Sequence, residues 1–209
     1  DLLILQTTGG TPFTLSALDI DSSEAVQVNG NIDISQDMSI DVRGIDQAQY
    51  SALIDLVWAN SSATLDVQGG TITAGEVYLT AVSAQYHDVG GFQLGGIQVG
   101  ILNAISDARV AVTGNTTITT TTGGIHINAG SSVLAHNVLA SDPDSDADTP
   151  PDTDAAVAST TVFSDAKATV AGSATLNSAA ELIVTAGNSA ESKAIADGSL
   201  ANAGAVLGF

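Results

Sequence analysis

Cysteine is absent from the 209 residues. That excludes a disulfide framework, a thiolate nucleophile and a zinc–thiolate site. Aromatic side chains are scarce, with one Trp, three Tyr and four Phe. A broad globular core draws on large rings, so the core expected here is narrow and filled by small aliphatics. Basic residues are scarcer still: four Lys plus Arg stand against 23 Asp plus Glu, a formal net charge of -19. A phosphate track needs the opposite sign, so nucleic acid is not an expected partner. Attraction to an anionic membrane surface is disfavoured for the same reason. No stretch is long and apolar enough to cross a bilayer as a helix, so membrane insertion is not expected either. Strong acidity implies a solvated, self-repelling surface.

The inventory for catalysis is equally thin. The histidines are His87, His126 and His136, with no HExxH or other close pairing. There is no GxSxG elbow and no Ser/His/Asp arrangement. The Gly90-Gly91 and Gly95-Gly96 pairs lack the GK[ST] and following helix of a phosphate loop. A groove that cleaves an acidic glycan needs carboxylates beside a basic group, and only Arg43, Arg109, Lys167 and Lys193 are available. The chain is therefore not expected to be an enzyme. A carbohydrate-active β-helix enzyme stays as the third reading, because fold alone does not exclude it.

What the sequence does contain is repetition. One phrase occurs four times: near 22–42, 61–79, 106–127 and 164–184. Each copy opens on Ser (Ser22, Ser61, Ser106, Ser164) and carries Val two places before Gly: Val28/Gly30, Val67/Gly69, Val112/Gly114, Val170/Gly172. An apolar residue follows at Ile34, Ile72, Ile118 or Leu176. An alternating pair closes the copy: Ile40/Val42, Val77/Leu79, Ile125/Ile127, Leu182/Val184. The period is two, which describes half-buried strands rather than a helix. The Gly marks a bend or a close backbone approach. One unit cannot bury its apolar face alone, whereas stacked units share a core.

Between copies one and two, Asp46–Asn60 leaves helix and strand open: Ala52, Leu53, Leu56 and Val57 fit a helical stripe, while Trp58 before copy two parallels Phe163 before copy four and favours a strand. The stretch Ala81–Ile105 reads as extra strands. Thr116–Thr122 gives a Thr-x-Thr pattern read as confined to one copy, hence a solvent-facing strand rather than an ice-binding ladder. The segment 141–154 is different: Asp142, Asp144, Asp146 and Asp148 alternate among Pro143, Pro150 and Pro151. Proline and like charge exclude a packed strand, so a protruding acidic loop is expected. Oxygen ligands at every second position also open calcium loops, which makes these four Asp the candidate metal ligands and calcium the candidate cofactor. The Gly and terminal Glu of a complete calcium loop are missing, so a merely solvated loop is the competing reading.

The expected fold is all-β: a right-handed parallel β-helix (β-solenoid) forming one segment over 1–209, with a β-sandwich as the alternative. The copies lie 39, 45 and 58 residues apart, which suggests two or more coils of roughly 20 residues per copy and a rod on the order of 40 to 50 Å. Solenoid ends need caps, so Asp1 and the apolar Gly204–Phe209 are expected to be either cuts through a longer polypeptide or interfaces with neighbouring copies.

Phrases such as SDAKATVAGSATLNSAAELIVTAG and SDARVAVTGNTTITTTTGGIHINAG resemble the repeat regions of large bacterial exoproteins, the filamentous-haemagglutinin-like and autotransporter-like adhesins. The resemblance spans about Asp21 to Ala186 and implies a secreted or cell-surface location and a role as stalk, fibre or adhesive shaft. Neighbouring segments or copies of the same protein, and surface glycans, are the partners it implies. A filament subunit stacking end to end is the second reading.

Overall fold

A computed structural model of the protein describes residues 2–7, 11–23, 25–52, 54–91, 96–140, 153–197 and 205–208, and no helix occurs among them. The alternation seen in the sequence becomes alternation of burial. Along β7 (Ile54–Ala74), Val57, Ala59, Ser61, Ala63, Leu65 and Val67 turn inward, and the residues between them face out. β-Branched and small residues on such a pleat suit strands packed on one side. Asp46–Asn60, ambiguous in sequence, is strand on both sides of residue 53.

The strands form two sheets, and every pairing is parallel. Sheet A runs in the order β1-β4-β7-β9-β11-β14, using β1 (Leu2–Gln6), β4 (Ala25–Asn29), β7, β9 (Gly96–Thr120), β11 (Thr153–Val170) and β14 (Ala205–Gly208). The short β2 (Phe13–Leu15), β5 (Ile32–Ile34) and β12 (Thr175–Asn177) extend it at one end. Sheet B runs β13-β10-β8-β6-β3, using β3 (Leu18–Ser22), β6 (Met38–Ala52), β8 (Val77–Gly91), β10 (Ile125–Ala140) and β13 (Leu182–Asp197). The chain passes alternately between the sheets, which is the path of a parallel β-solenoid. A β-sandwich, built from antiparallel sheets, is excluded.

The repeat sets the register at its Val, but in copy one the later positions fall two residues before those aligned in sequence: Ile32, not Ile34, pairs with Ile72, and Met38 and Ile40, not Ile40 and Val42, pair with Val77 and Leu79. Val28 pairs with Val67, Val67 with Val112, and Val112 with Val170. One phrase is therefore one coil, not two or more. The phrase wraps a corner: its V-x-V-x-G part lies on sheet A and its closing pair on sheet B, as with Val67 and Leu79. Each coil is a single turn of long strands, and within the stretch Ala81–Ile105 the described residues 81–91 and 96–105 supply the end of β8 and the start of β9, while residues 92–95 lie outside the described residues. Six levels of sheet A span about 24 Å along the axis, not 40 to 50 Å. The Gly of every phrase (Gly30, Gly69, Gly114, Gly172) has positive φ, a conformation that L side chains rarely adopt.

The interior is divided. A near lobe, beside the corner that each phrase wraps, holds Val26, Ile40, Leu65, Ile72, Leu79, Val110, Ile118 and Ile127 among others. A far lobe holds Val57, Ala59, Val89, Leu102, Ala104, Val133, Ala135, Leu139, Ala156 and Ala158. Between them runs a row of serines. Ser61 Oγ lies 2.7 Å from Ser83 Oγ; Ser106 donates to Ser83 at 2.8 Å; Ser131 donates to Ser106 at 2.9 Å; and Ser131 Oγ lies 2.8 Å from Ser164 Oγ. The chain of hydroxyls zigzags from sheet to sheet along the axis. At its top, Gly44 faces the Ser62 carbonyl so closely that any Cβ would be driven into it. Hydroxyls that satisfy one another can be buried at little cost, and they let the two sheets approach at this waist.

Candidate functional site

The candidate calcium ligands Asp142, Asp144, Asp146 and Asp148, with the protruding loop that carries them, lie outside the described residues. Among the described residues, no group of three or more His, Asp or Glu side chains is arranged to hold a metal ion.

The outer surface carries its charged groups in rows set by the ladder. Arg109 and Lys167 are register partners, as their places in copies three and four require, and Arg109 Nε lies 3.9 Å from Asp66 Oδ1. On sheet B, His136 sits between Asp88 at 3.4 Å and Glu191 at 3.3 Å. At the corner, His126 faces outward, stacked on Tyr78 with ring centroids 4.6 Å apart, and its Nε2 lies 3.2 Å from Glu76 and 3.8 Å from Glu181. A hydrogen bond from Tyr78 holds the Glu76 carboxyl below its ordinary pKa, and the same contact raises the Tyr78 phenol. These are surface contacts between side chains on neighbouring rungs. None places a nucleophile beside a base.

The threonines form a wider array than sequence suggested. Thr71 and Thr73 stack on Thr117 and Thr119, and Thr175 and Asn177 follow on the next coil. The Thr-x-Thr pattern is thus not confined to one copy: Thr71-Ile72-Thr73 in copy two is its equivalent, with Ile72 and Ile118 turned inward.

The far lobe buries polar groups that its small side chains leave room for. Asn137 Nδ2 donates to the Gly100 carbonyl at 2.7 Å and to the Ser159 carbonyl at 2.9 Å. His87 has no exposed side-chain surface; its Nε2 contacts Gln85 Oε1 and lies 3.6 Å from Asp46, and its ring stacks on Tyr50. Burial pushes the His87 pKa down, against the opposing pull of Asp46 and Asp88. His87 Nδ1 and Gln85 Nε2 have no hydrogen-bond partner among the described residues.

Above this cluster, sheet A is incomplete. β4 meets β7 only at Leu65–Val67, so Ile54–Ala63 has no strand on that side among the described residues. The outer face here is apolar: Ile54, Leu56 and Trp58 are 59%, 54% and 68% exposed. Ile105 and Phe163 continue the patch on the next coils, aligned with Asn60; Trp58 itself aligns with Asn103, two places away from the equivalence with Phe163 that sequence suggested. Sequence reasoning missed this edge because it depends on β4 beginning only after the waist, which no local pattern encodes. It also missed the serine row, although Ser61, Ser106 and Ser164, which open copies two to four, were visible; Ser22 of copy one lies instead on β3 of sheet B. Comparison of the chain with protein-family models, curated proteins and solved structures finds no match.

Proposed function

We propose that this chain is a structural and adhesive solenoid segment of a secreted or surface-exposed bacterial fibrous protein, acting as a stiff shaft for attachment. The observation that carries this reading is the parallel stacking of one sequence phrase coil on coil, with strand pairing along a single axis from β1 to β14 in sheet A. Quasi-one-dimensional stacking suits stiffness and extended surfaces, and the regular outer rows of Thr, Asn and Asp offer hydroxyl and amide groups to glycans. The resemblance to adhesin repeat regions supports the location. The test couples the purified chain to beads and measures attachment to glycan-coated and bare surfaces under flow. Retention above uncoupled beads is expected. Equal retention would remove the adhesive part of the reading, and turnover of a glycan by the purified chain would replace it with an enzyme.

A second reading, end-to-end stacking with copies or neighbouring segments, draws on one further observation. On the last described coil, Val170, Leu182 and Val184 occupy inward positions, pairing with the buried Val112, Ile125 and Ile127, yet they are exposed. On the first coil, Leu3 and Phe13 pair with the buried Val26 and Ile32 and are likewise exposed. Concentration-dependent fibres that dissolve on dilution would favour this reading.

A further inference from the structure

Sheet B carries a strand segment in the far lobe that sheet A does not match. β6 continues past the waist to Ala52 and pairs with β8 throughout. Opposite it, the edge of β7 from Ile54 to Ala63 is paired with β9 on one side only. The gap along this edge is about 33 Å long. Edge strands in natural sheets are blunted by charge, proline or a bulge. This edge reads IDLVWANSSA, and its single charge, Asp55, is buried and accepts the Ala52 N–H at 2.9 Å.

The gap has chemical character. Asp46, Ala48 and Tyr50 of β6 line it, each only partly covered, with no strand opposite them among the described residues. The nearest charged partner of Asp46 is His87 at 3.6 Å, whose pKa burial lowers. Ser61 meets Ser83 across the waist, so Ala59 lies level with Gln85, and Gln85 is the register partner of Asp46. A residue entering beside Ala59 would therefore face Asp46.

We propose that the open edge of β7 is a strand-addition site for an extended peptide of another protein, one with small inward side chains and a Lys or Arg beside Ala59. Main-chain hydrogen bonds to Ile54–Ala63 would supply affinity, and the alternate side chains would supply selectivity. A chain of net charge -19 favours a cationic occupant.

Trp58, the sole tryptophan, stands on this edge and reports its occupancy. The probe is a capped synthetic peptide with the sequence of Val99–Ser106 carrying Ala104→Lys, the position aligned with Ala59. A saturable blue shift of Trp58 emission is expected. Alternate N-methylation of the peptide backbone, which keeps the side chains and removes edge bonds, should weaken binding about tenfold or more, as should Ala104→Glu in place of Lys. Equal binding of the N-methylated peptide would mean apolar adsorption and would overturn the proposal. No shift at millimolar Lys peptide would overturn it too. So would a shift without peptide that tracks a doubling of mass in sedimentation, which would assign the edge to a second copy.

Discussion

The near and far lobes share one backbone and differ in what fills them. Near the corner, successive coils present Val26, Leu65 and Val110, then Val28, Val67 and Val112, in columns of like size. Across the serine row the columns are Ala59/Ala104 and Val57/Leu102, and facing strands bury Gln85, His87 and Asn137. The near lobe is where the phrase repeats, and the far lobe is built from the residues between copies. Repetition of sequence therefore produces an aliphatic ladder, while its absence leaves columns of smaller residues among which Gln85, His87 and Asn137 are buried. The lesson is that the phrase secures one edge of each coil, and the other edge is free to vary in length and chemistry.

The largest expected effects test this directly. Ile118→Ala removes a fully buried side chain from the middle of the near-lobe column and should cost about 3 to 4 kcal/mol in urea unfolding. Val57→Ala, at the far-lobe edge, should cost about 1 to 2 kcal/mol. Hydrogen exchange should place the slowest amides in β7 and β9 on the near side of Ser61 and Ser106. Equal costs for the two variants, or slowest exchange beyond the serines, would break the distinction between the lobes.

The next effect concerns the boundary itself. Ser106 donates to Ser83 and accepts from Ser131, so Ser106→Ala interrupts the row and leaves two buried hydroxyls short of a partner. A loss of about 1 to 2 kcal/mol is expected. If the lobes communicate through the waist, far-lobe amides on β8 and β10 should exchange faster in this variant while Ile118 and its neighbours keep their protection. Uniform loss of protection would mean that the row belongs to one undivided core.

How much of this was legible follows from where the repetition lies. The parallel solenoid, the inward Val26 and Val28 and the shared position of Arg109 and Lys167 were readable, because a period of two with a recurrent Gly constrains the fold locally. The coil count was not, because the phrase wraps a corner and so looks like two coils when distances along the chain are divided by an ordinary coil length. The divided core was not either. The Ser that opens copies two, three and four resembles a turn residue in sequence, and only the approach of two sheets joins Ser61, Ser106 and Ser164 with Ser83 and Ser131 in a hydroxyl chain. The open edge arises from the length of β6 against that of β4, a difference between coils rather than a pattern within one.

A smaller effect separates the lobes by pH. The near-lobe interior carries no titratable side chain among its described core residues, whereas the far lobe contains His87. Burial lowers the His87 pKa below its ordinary value of 6.5. The unfolded chain then binds more protons than the folded one as pH falls below 6.5, so stability present above that value is lost down to the depressed folded pKa. Thermal unfolding between pH 8 and pH 5 should show this loss, and His87→Gln should flatten it. Glu76 acts in a separate window: its folded pKa is lowered, so its contribution is present above 4.5 and is lost as pH falls further. A slope unchanged by His87→Gln would remove the pH distinction between the lobes.

The smallest effect belongs to the outer surface over the near lobe. Lys167 pairs in register with Arg109 on a face open to solvent, so two like charges sit on adjacent rungs. Their repulsion is weak where water and salt screen it, and Asp66 lies within reach of Arg109. Lys167→Ala should therefore change stability by less than about 0.5 kcal/mol, in the stabilising direction at low salt and indistinguishably from zero at high salt. The same substitution made in the presence of a glycan-coated surface carries more information. If attachment falls while unfolding is unchanged, the outer rung contributes to binding, and the regular ladder that stabilises the near lobe is also the surface it displays.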